Sequence, residues 1–190
     1  MEKLNDDFSL EKYGLKVRLI NENDADFILS LRANPNRTKH MITLDYNLES
    51  QRKWIQEYKK REKEGRDYYF IYTNAEGTPI GVNRASSVDF NTKTSKSSSW
   101  ITIEGLKSEP LKMLIIGNEI IFNLIGVETS WGEVKKDNYR AIKIFKLFGY
   151  KLNNVNTEYC DFSLSKRDFF KACENSILSR IISKDTRTYY

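Results

Sequence analysis

Residues 128–151 read ETSWGEVKKDNYRAIKIFKLFGYK, and their order of strand, helix and strand sets the architecture of the chain. Glu128 to Lys135 alternates as a strand that places Trp131 and Glu133 on one face. Asn138 suits the N-cap of a helix running to Phe148, and Gly149 suits its end. Tyr150 to Leu164 then returns as one strand or a short hairpin. Asn138, Ala141, Gly149 and the aromatic Tyr150 hold set spacings after the strand-ending Val134. From average residue usage such a set arises by chance in roughly one chain of this length in a few hundred.

Outward from this unit the chain alternates in the same manner. Lys16 to Ile20 reads as a strand, and Asn23 as the cap of a helix from Asp24 with Phe27, Ile28 and Leu31 on one face. Asn34-Pro35 stops that helix, an irregular stretch covers 36–47, and Leu48 to Glu64 forms a second helix with Trp54, Ile55 and Tyr58 at helical spacing. Tyr68 to Thr73, Ile80 to Phe90 and Ser97 to Glu104 read as an antiparallel meander. Leu111 to Ile125 is apolar nearly all round, as a helix buried in the face of a sheet would be. Phe169, Phe170, Cys173, Ile177, Leu178, Ile181 and Ile182 stripe a C-terminal helix over about 166–184. The fold expected is α/β (α+β): one domain over 1–190 with a mixed, mostly antiparallel sheet of six to seven strands and helices on both faces.

The 190 residues, 39% hydrophobic and 30% charged, suffice for one core without staples. No window approaches the roughly 18 uncharged apolar residues of a membrane span, and MEKLNDDFSL carries two aspartates where a secretion signal would be apolar, so a cytoplasmic protein is expected. Cys160, Cys173 and one histidine cannot build a structural zinc site or a disulfide framework, and no metal is expected. Thirty-one Lys and Arg against 26 Asp and Glu leave +5, which suits a phosphate-bearing ligand without implying nucleic acid. The densest basic run, Lys59-Lys60-Arg61, is interleaved with Glu57, Glu62 and Glu64 as on a solvated helix face.

Val134 to Ala141, with Phe145 and Phe148-Gly149-Tyr150-Lys151, resembles the end of the acetyl-CoA-binding core of the GNAT superfamily of N-acetyltransferases. Lys16 to Ala33, with its acidic first helical turn and Leu31-Arg32, and Trp54 look like the branch holding ribosomal-protein and amino-sugar-nucleotide acetyltransferases. The resemblance covers about 15–165 and implies a V-shaped split between the fourth and fifth strands, with acetyl-CoA as cosubstrate. Strands that splay leave backbone N–H and C=O groups unpaired, and a pantetheine arm, itself a chain of amides, fills them like an added strand. A pyrophosphate sits on the N–H groups of the following helix start, where the dipole favours negative charge. The resemblance assigns this to the turn after Ile103, with Gly105, Leu106, Lys107 and Lys112 at the cofactor. The superfamily's glycines are missing from this turn, Leu106-Lys107-Ser108-Glu109-Pro110-Leu111-Lys112. Pro110 removes an N–H and Glu109 adds repulsion; either Lys107 and Lys112 offset both, or the loop binds no pyrophosphate. By the same resemblance Asn138, Ala141 and Phe145 bind the cofactor, Asn138 at its pantetheine region, and Asn138 can do so while capping its helix.

Acetyl transfer to an amine needs a base for the ammonium, a donor for the oxyanion and a proton for the leaving thiolate. Glu104, at the strand end where a thioester would arrive, is the first choice of base, and Glu133 the second; a solvated strand-end carboxylate is the plain alternative for Glu104. The family's usual thiolate acid is a tyrosine at the place Phe145 holds, so Tyr139 and Tyr150 are substitutes, or the thiolate leaves unaided. His40 falls in the stretch that walls the acceptor pocket of similar proteins, and Arg37, Lys39 and Arg84 could meet an acceptor's phosphates; a plainly exposed loop histidine is the alternative for His40. The function expected is acetyl-CoA-dependent transfer to a small-molecule primary amine, with an amino-sugar nucleotide favoured over a protein N-terminus or a polyamine, by a monomer or homodimer. A non-catalytic CoA-binding descendant is the competing reading, and a nucleic-acid module a distant third.

Overall fold

The computed structural model of the chain describes residues 1–40, 47–174 and 177–185. Among them one open sheet runs in the order β1-β2-β3-β4-β5-β6-β8-β7. Its strands are β1 (Ser9–Lys12), β2 (Leu15–Leu19), β3 (Tyr68–Thr73), β4 (Pro79–Asp89), β5 (Thr94–Thr102), β6 (Thr129–Lys135), β7 (Lys151–Val155) and β8 (Tyr159–Ser165). Neighbours are antiparallel except β5 and β6. The helices are α1 (Ala25–Arg32), α2 (Pro35–Thr38), α3 (Leu48–Lys63), α4 (Glu109–Glu119), α5 (Tyr139–Leu147), α6 (Lys166–Glu174) and α7 (Ile177–Asp185), with π-helical turns over Ile120–Ile125 prolonging α4. None of these helices is long and apolar enough to cross a membrane.

The sequence YYFIYT of β3 explains the layering. Successive side chains of a strand point to opposite faces. Tyr68, Phe70 and Tyr72 enter a core with Met113 and Ile116 of α4 and Phe169 of α6, while Tyr69 and Ile71 enter a second core with Ile28 of α1 and Ile55 and Tyr58 of α3. A strand buried on both faces carries helices on both. Buried phenols need partners: Tyr72 Oη donates to Asn83 Oδ1 at 3.0 Å, and Tyr58 Oη accepts the Tyr69 N–H at 2.8 Å.

The sheet differs from expectation at its first edge. Ser9–Lys12 pairs with Leu15–Leu19 through a two-residue turn in which Tyr13 and Gly14 both have positive φ, 54° and 69°. That strand alternates exposed with partly buried residues, has none fully buried and shows no apolar alternation, which is why periodicity misses it. It raises the strand number to eight and makes the parallel pair the fifth and sixth strands, or the fourth and fifth counted from β2. Asn23 does not cap α1; a 3-10 turn over Glu22–Asp24 leads into it and is capped by Asn21, whose Oδ1 accepts the Asn23 N–H at 2.9 Å while the Asp24 carboxylate accepts the Asn21 N–H at 2.8 Å, a reciprocal box. β5 begins at Thr94 rather than Ser97, because polar residues of the NTKTSKSSS stretch are paired on both sides, with β4 and with β6. The C-terminal helical stripe divides into α6 and α7, between which 175–176 lie outside the described residues.

Candidate active site

β5 and β6 pair over three residues only: Thr94 with Thr129, Ser95 with Ser130 and Lys96 with Trp131. β5 then continues to Thr102 and β6 to Lys135 without facing each other, so the parallel pair opens into a V. A bulge sharpens the divergence. Arg84 pairs with Ser98 and Val82 with Ile101, so Ser99 and Trp100 oppose Asn83 alone, and Ser99 adopts a positive φ of 51°. At Gly132 on the other arm an added Cβ would sit 3.1 Å from Phe145 Cε2 and 3.4 Å from the Ser97 carbonyl oxygen, so a side chain there would press the α5 aromatic away from the β6 backbone.

The V opens on a cleft of about 940 Å³. Its floor is β5 from Lys96 to Thr102 with Glu104 beyond the strand end. One side carries Asn138, Arg140, Ala141 and Phe145 of the α5 region with Glu133, Val134 and Lys135 of β6; Pro110 and Leu114 come from α4. The opposite side carries Arg32, Gln51, Trp54 and Arg84, and His40 completes the lining. The segment after α1 is fastened to both arms of the V. Asn34 Nδ2 donates to Glu104 Oε1 at 3.3 Å, and His40 Nδ1 lies 3.1 Å from Asp137 Oδ1.

Of the residues singled out from the sequence, the fold gathers Glu104, Glu133, Asn138, Ala141, Phe145, His40 and Arg84 around this one cleft. Asn138 Oδ1 accepts the Ala141 N–H at 3.1 Å as the α5 cap, and Glu133 pairs with Lys96 across the arms. Other assignments change. Ile103 continues the sheet, its N–H donating to the Ile80 carbonyl at 2.9 Å, so this N–H is not open to a cofactor. Leu106 packs against the core, and Gly105 serves the turn through its φ of 78°. Lys112, expected beside a phosphate, donates to the Tyr13 carbonyl at 2.7 Å and braces the β1–β2 turn. Tyr150 lies under Phe145, ring centroids 4.2 Å apart, at 7% exposure; burial pushes its phenol above the ordinary value against the opposing pull of Ser130 and Ser97. Tyr139 is 71% exposed and does not line the cleft. The Arg37 side chain lies outside the described residues.

At the start of α4 the chain presents its own anion. The Glu109 carboxylate accepts the Lys107 N–H at 2.8 Å. Partial burial works against it, but the N–H groups of Glu109, Lys107 and Ser108 and the Lys112 charge hold its carboxyl below the usual range. A phosphate using these N–H groups would have to displace that carboxylate. Glu109→Gln is therefore expected to tighten CoA about fivefold, the equivalent of about 1 kcal/mol for one charge at a helix N-terminus. Calorimetric titration with CoA checks this; unchanged affinity would leave Glu109 as a cap alone.

Sequence periodicity missed the device that orders the opposite side. Asp67, 2% exposed, accepts Arg84 Nε at 2.7 Å and Arg61 Nε at 3.0 Å, and Arg84 lies 5.2 Å over the Trp54 ring. Burial alone would lower the Arg84 pKa, but its bonds to Asp67 hold it raised, so the guanidinium at the cleft stays charged. Trp54 is fixed from below by Tyr58, stacked at 5.7 Å and 5°. The spacing Trp54, Tyr58 and Arg61 on one helix was the visible trace of this cluster.

This architecture matches known proteins. The family model described as "Acetyltransferase (GNAT) domain" matches residues 15–151. No curated protein sequence matches the chain. Among solved structures, apo FdhC, described as a nucleotide-linked sugar GNAT, superposes with a TM-score of 0.82 at 28% identity over 93% of this chain and 99% of that one. Spermidine N-acetyltransferase from Vibrio cholerae, in complex with CoA and spermine, follows at 0.71 and 13% over 83% and 98% of the two chains. Ribosomal-protein-S5-alanine acetyltransferase from Vibrio fischeri gives 0.68 and 14% over 86% and 99%. The last two likenesses speak to the fold alone. The family model spans most of the chain and the open V of β5 and β6 lies within its match, and so the chain belongs to the GNAT acetyltransferase family.

Proposed function

We propose that the protein transfers the acetyl group of acetyl-CoA to the primary amine of a nucleotide-linked amino sugar. The observation that carries this reading is the charge of the cleft. Arg32, Arg84, Lys96, Lys135 and Arg140 line it against Glu104 and Glu133, so anionic ligands are drawn in and a polycationic amine is opposed. A nucleotide-linked sugar and CoA both carry diphosphates. Trp54 and the arginines beside it suit a nucleotide, and the similarity to FdhC points the same way.

The residues present fit CoA. The arms Ser97–Thr102 and Gly132–Lys135 have no partner strand in each other and offer backbone groups for amides. Asn138 stands at the first turn of α5, where an amide side chain and helix N–H groups meet the cleft. In the reaction Glu104 takes the ammonium proton, directly or through water, the amine nitrogen attacks the thioester carbonyl, and the C–S bond breaks as the amide forms. Glu133, held by Lys96, serves the charge of the β6 arm.

Thiol release with a panel of amines tests the activity: turnover is expected with an amino-sugar nucleotide and not with spermidine. A non-catalytic CoA-binding protein is the second reading, supported by Phe145 in place of a hydroxyl-bearing residue. It would show stabilisation by CoA near RT ln(1 + [L]/Kd) with no thiol release. Asn138→Ala separates cofactor contact from capping. The KM for acetyl-CoA is expected to rise at least tenfold, while stability falls only by the roughly 1 kcal/mol of a lost cap. Steady-state kinetics and urea unfolding measure the two, and normal KM with lower stability would reduce Asn138 to a cap.

A further inference from the structure

We propose that His40, oriented by Asp137, gives the departing thiolate its proton; the inference rests on the acetyltransferase reading above. The buried Nδ1 of His40 lies 3.1 Å from Asp137 Oδ1, within ion-pair distance but not aligned as a hydrogen bond, and has no hydrogen-bond partner among the described residues. The His40 side chain keeps 22% exposure while Nδ1 has none, so what remains open belongs to the rest of the ring, which includes Nε2. That ring lines the same cleft as Phe145, Asn138 and Ala141. Asp137 immediately precedes the α5 cap, so it holds the imidazole at the helix turn that faces the open β6 arm.

The other proton carriers of the cleft fit this role less well. Phe145 has no proton to give, and the phenol of Tyr150 is buried beneath it. Glu104 is already assigned as the base, and Glu133 is paired with Lys96. Arg and Lys are too weakly acidic to give up a proton readily. Tyr159 lines the cleft from the start of β8, across β6 from the open arm, in register with Lys135. Imidazole alone among ordinary side chains exchanges its proton near neutral pH. Base and acid then stand on different arms: Glu104, bonded by Asn34, beyond β5, and His40, within ion-pair distance of Asp137, at the β6–α5 turn.

The step balances as follows. Glu104 takes the ammonium proton and passes it to solvent; the neutral amine nitrogen then forms a C–N bond to the thioester carbon and loses a second proton to the Glu104 carboxylate. The C–S bond breaks, its electron pair goes to sulfur, and sulfur takes the Nε2 proton of the imidazolium. Neutral imidazole is left with its Nδ1–H toward Asp137, and it regains a proton from solvent as Glu104 releases one.

Two variants of His40 separate proton transfer from bracing. Gln can still donate to Asp137 but cannot carry a proton; Ala leaves space open to solvent. His40→Gln and His40→Ala are both expected to lower kcat about 10²-fold, with the CoA-induced rise in melting temperature kept, and free imidazole is expected to restore part of the His40→Ala rate. Asp137→Asn, at a positioning residue, is expected to lower kcat while the KM for acetyl-CoA stays within twofold. A His40→Gln protein with wild-type kcat, or a folded His40→Ala protein that imidazole does not rescue, overturns the role of His40 and leaves the acetyltransferase reading standing. No turnover by the wild-type protein with any amine of the panel overturns both.

Discussion

Glu104→Gln is expected to keep the fold and CoA binding while kcat at pH 7 falls by about 10² to 10⁴, the usual worth of a positioned general base. The carboxylate lies beyond the end of β5 in the cleft lining and accepts a hydrogen bond from Asn34, so the amide isostere can keep its neighbours while losing only the ability to accept a proton. The sign of the pH effect follows from the substrate. A protonated amine cannot attack, and at low pH nearly all acceptor is protonated, so the base carries the reaction. As pH rises toward the titration of the amine itself, solvent supplies the neutral nucleophile and the gap between variant and wild type should narrow. A pH series of kcat on both proteins measures this. Near-normal turnover at pH 7, or an equal deficit at every pH, would transfer the role to Glu133 or to water.

The second large effect concerns stability. Asp67→Ala removes the buried partner of two guanidiniums and leaves Arg84, itself largely buried, without its counter-charge. Breaking one side of a buried ion pair costs about 3–5 kcal/mol, because a desolvated charge is left uncompensated. Arg61→Ala, by contrast, removes a side chain one-third exposed at the rim, and its loss is expected to stay near 1 kcal/mol. Urea unfolding of the two variants makes the comparison, and a cost below 1 kcal/mol for Asp67→Ala would contradict this account. In the same variant the KM for the acceptor is expected to rise while that for acetyl-CoA holds, since Arg84 stands over Trp54 on the far side of the cleft from Asn138.

Local pattern carried much of this molecule. The alternation of YYFIYT, the nearly all-apolar run after Pro110 and the crossover of residues 128–151 sufficed to foresee a mixed sheet with helices on both faces, because burial on a strand or helix is written in its own period. The Asn138 cap was legible for the same reason: its partner, Ala141, is three residues away. The β1 strand was not, since Ser9–Lys12 buries too little to show an apolar rhythm and is defined by its pairing with β2.

The site divides along the same line. Asn138, Phe145 and the end of β5 could be read as neighbours around one cleft because one crossover unit and its adjoining strand supply them. The roles of Lys112 and Tyr150 could not, because a side chain's partner is chosen by whatever the fold brings beside it: a carbonyl of the β1–β2 turn for Lys112, and the underside of Phe145 for Tyr150. Asp67 beneath Arg84, and His40 beside Asp137, join residues 17 and 97 positions apart. Apart from elements such as β1 that bury little, element types and the faces they bury were determined by sequence alone, through short-range periodicity. Which charges meet across the cleft was decided only by the tertiary structure, since an ion pair depends on distance in space and leaves no period along the chain.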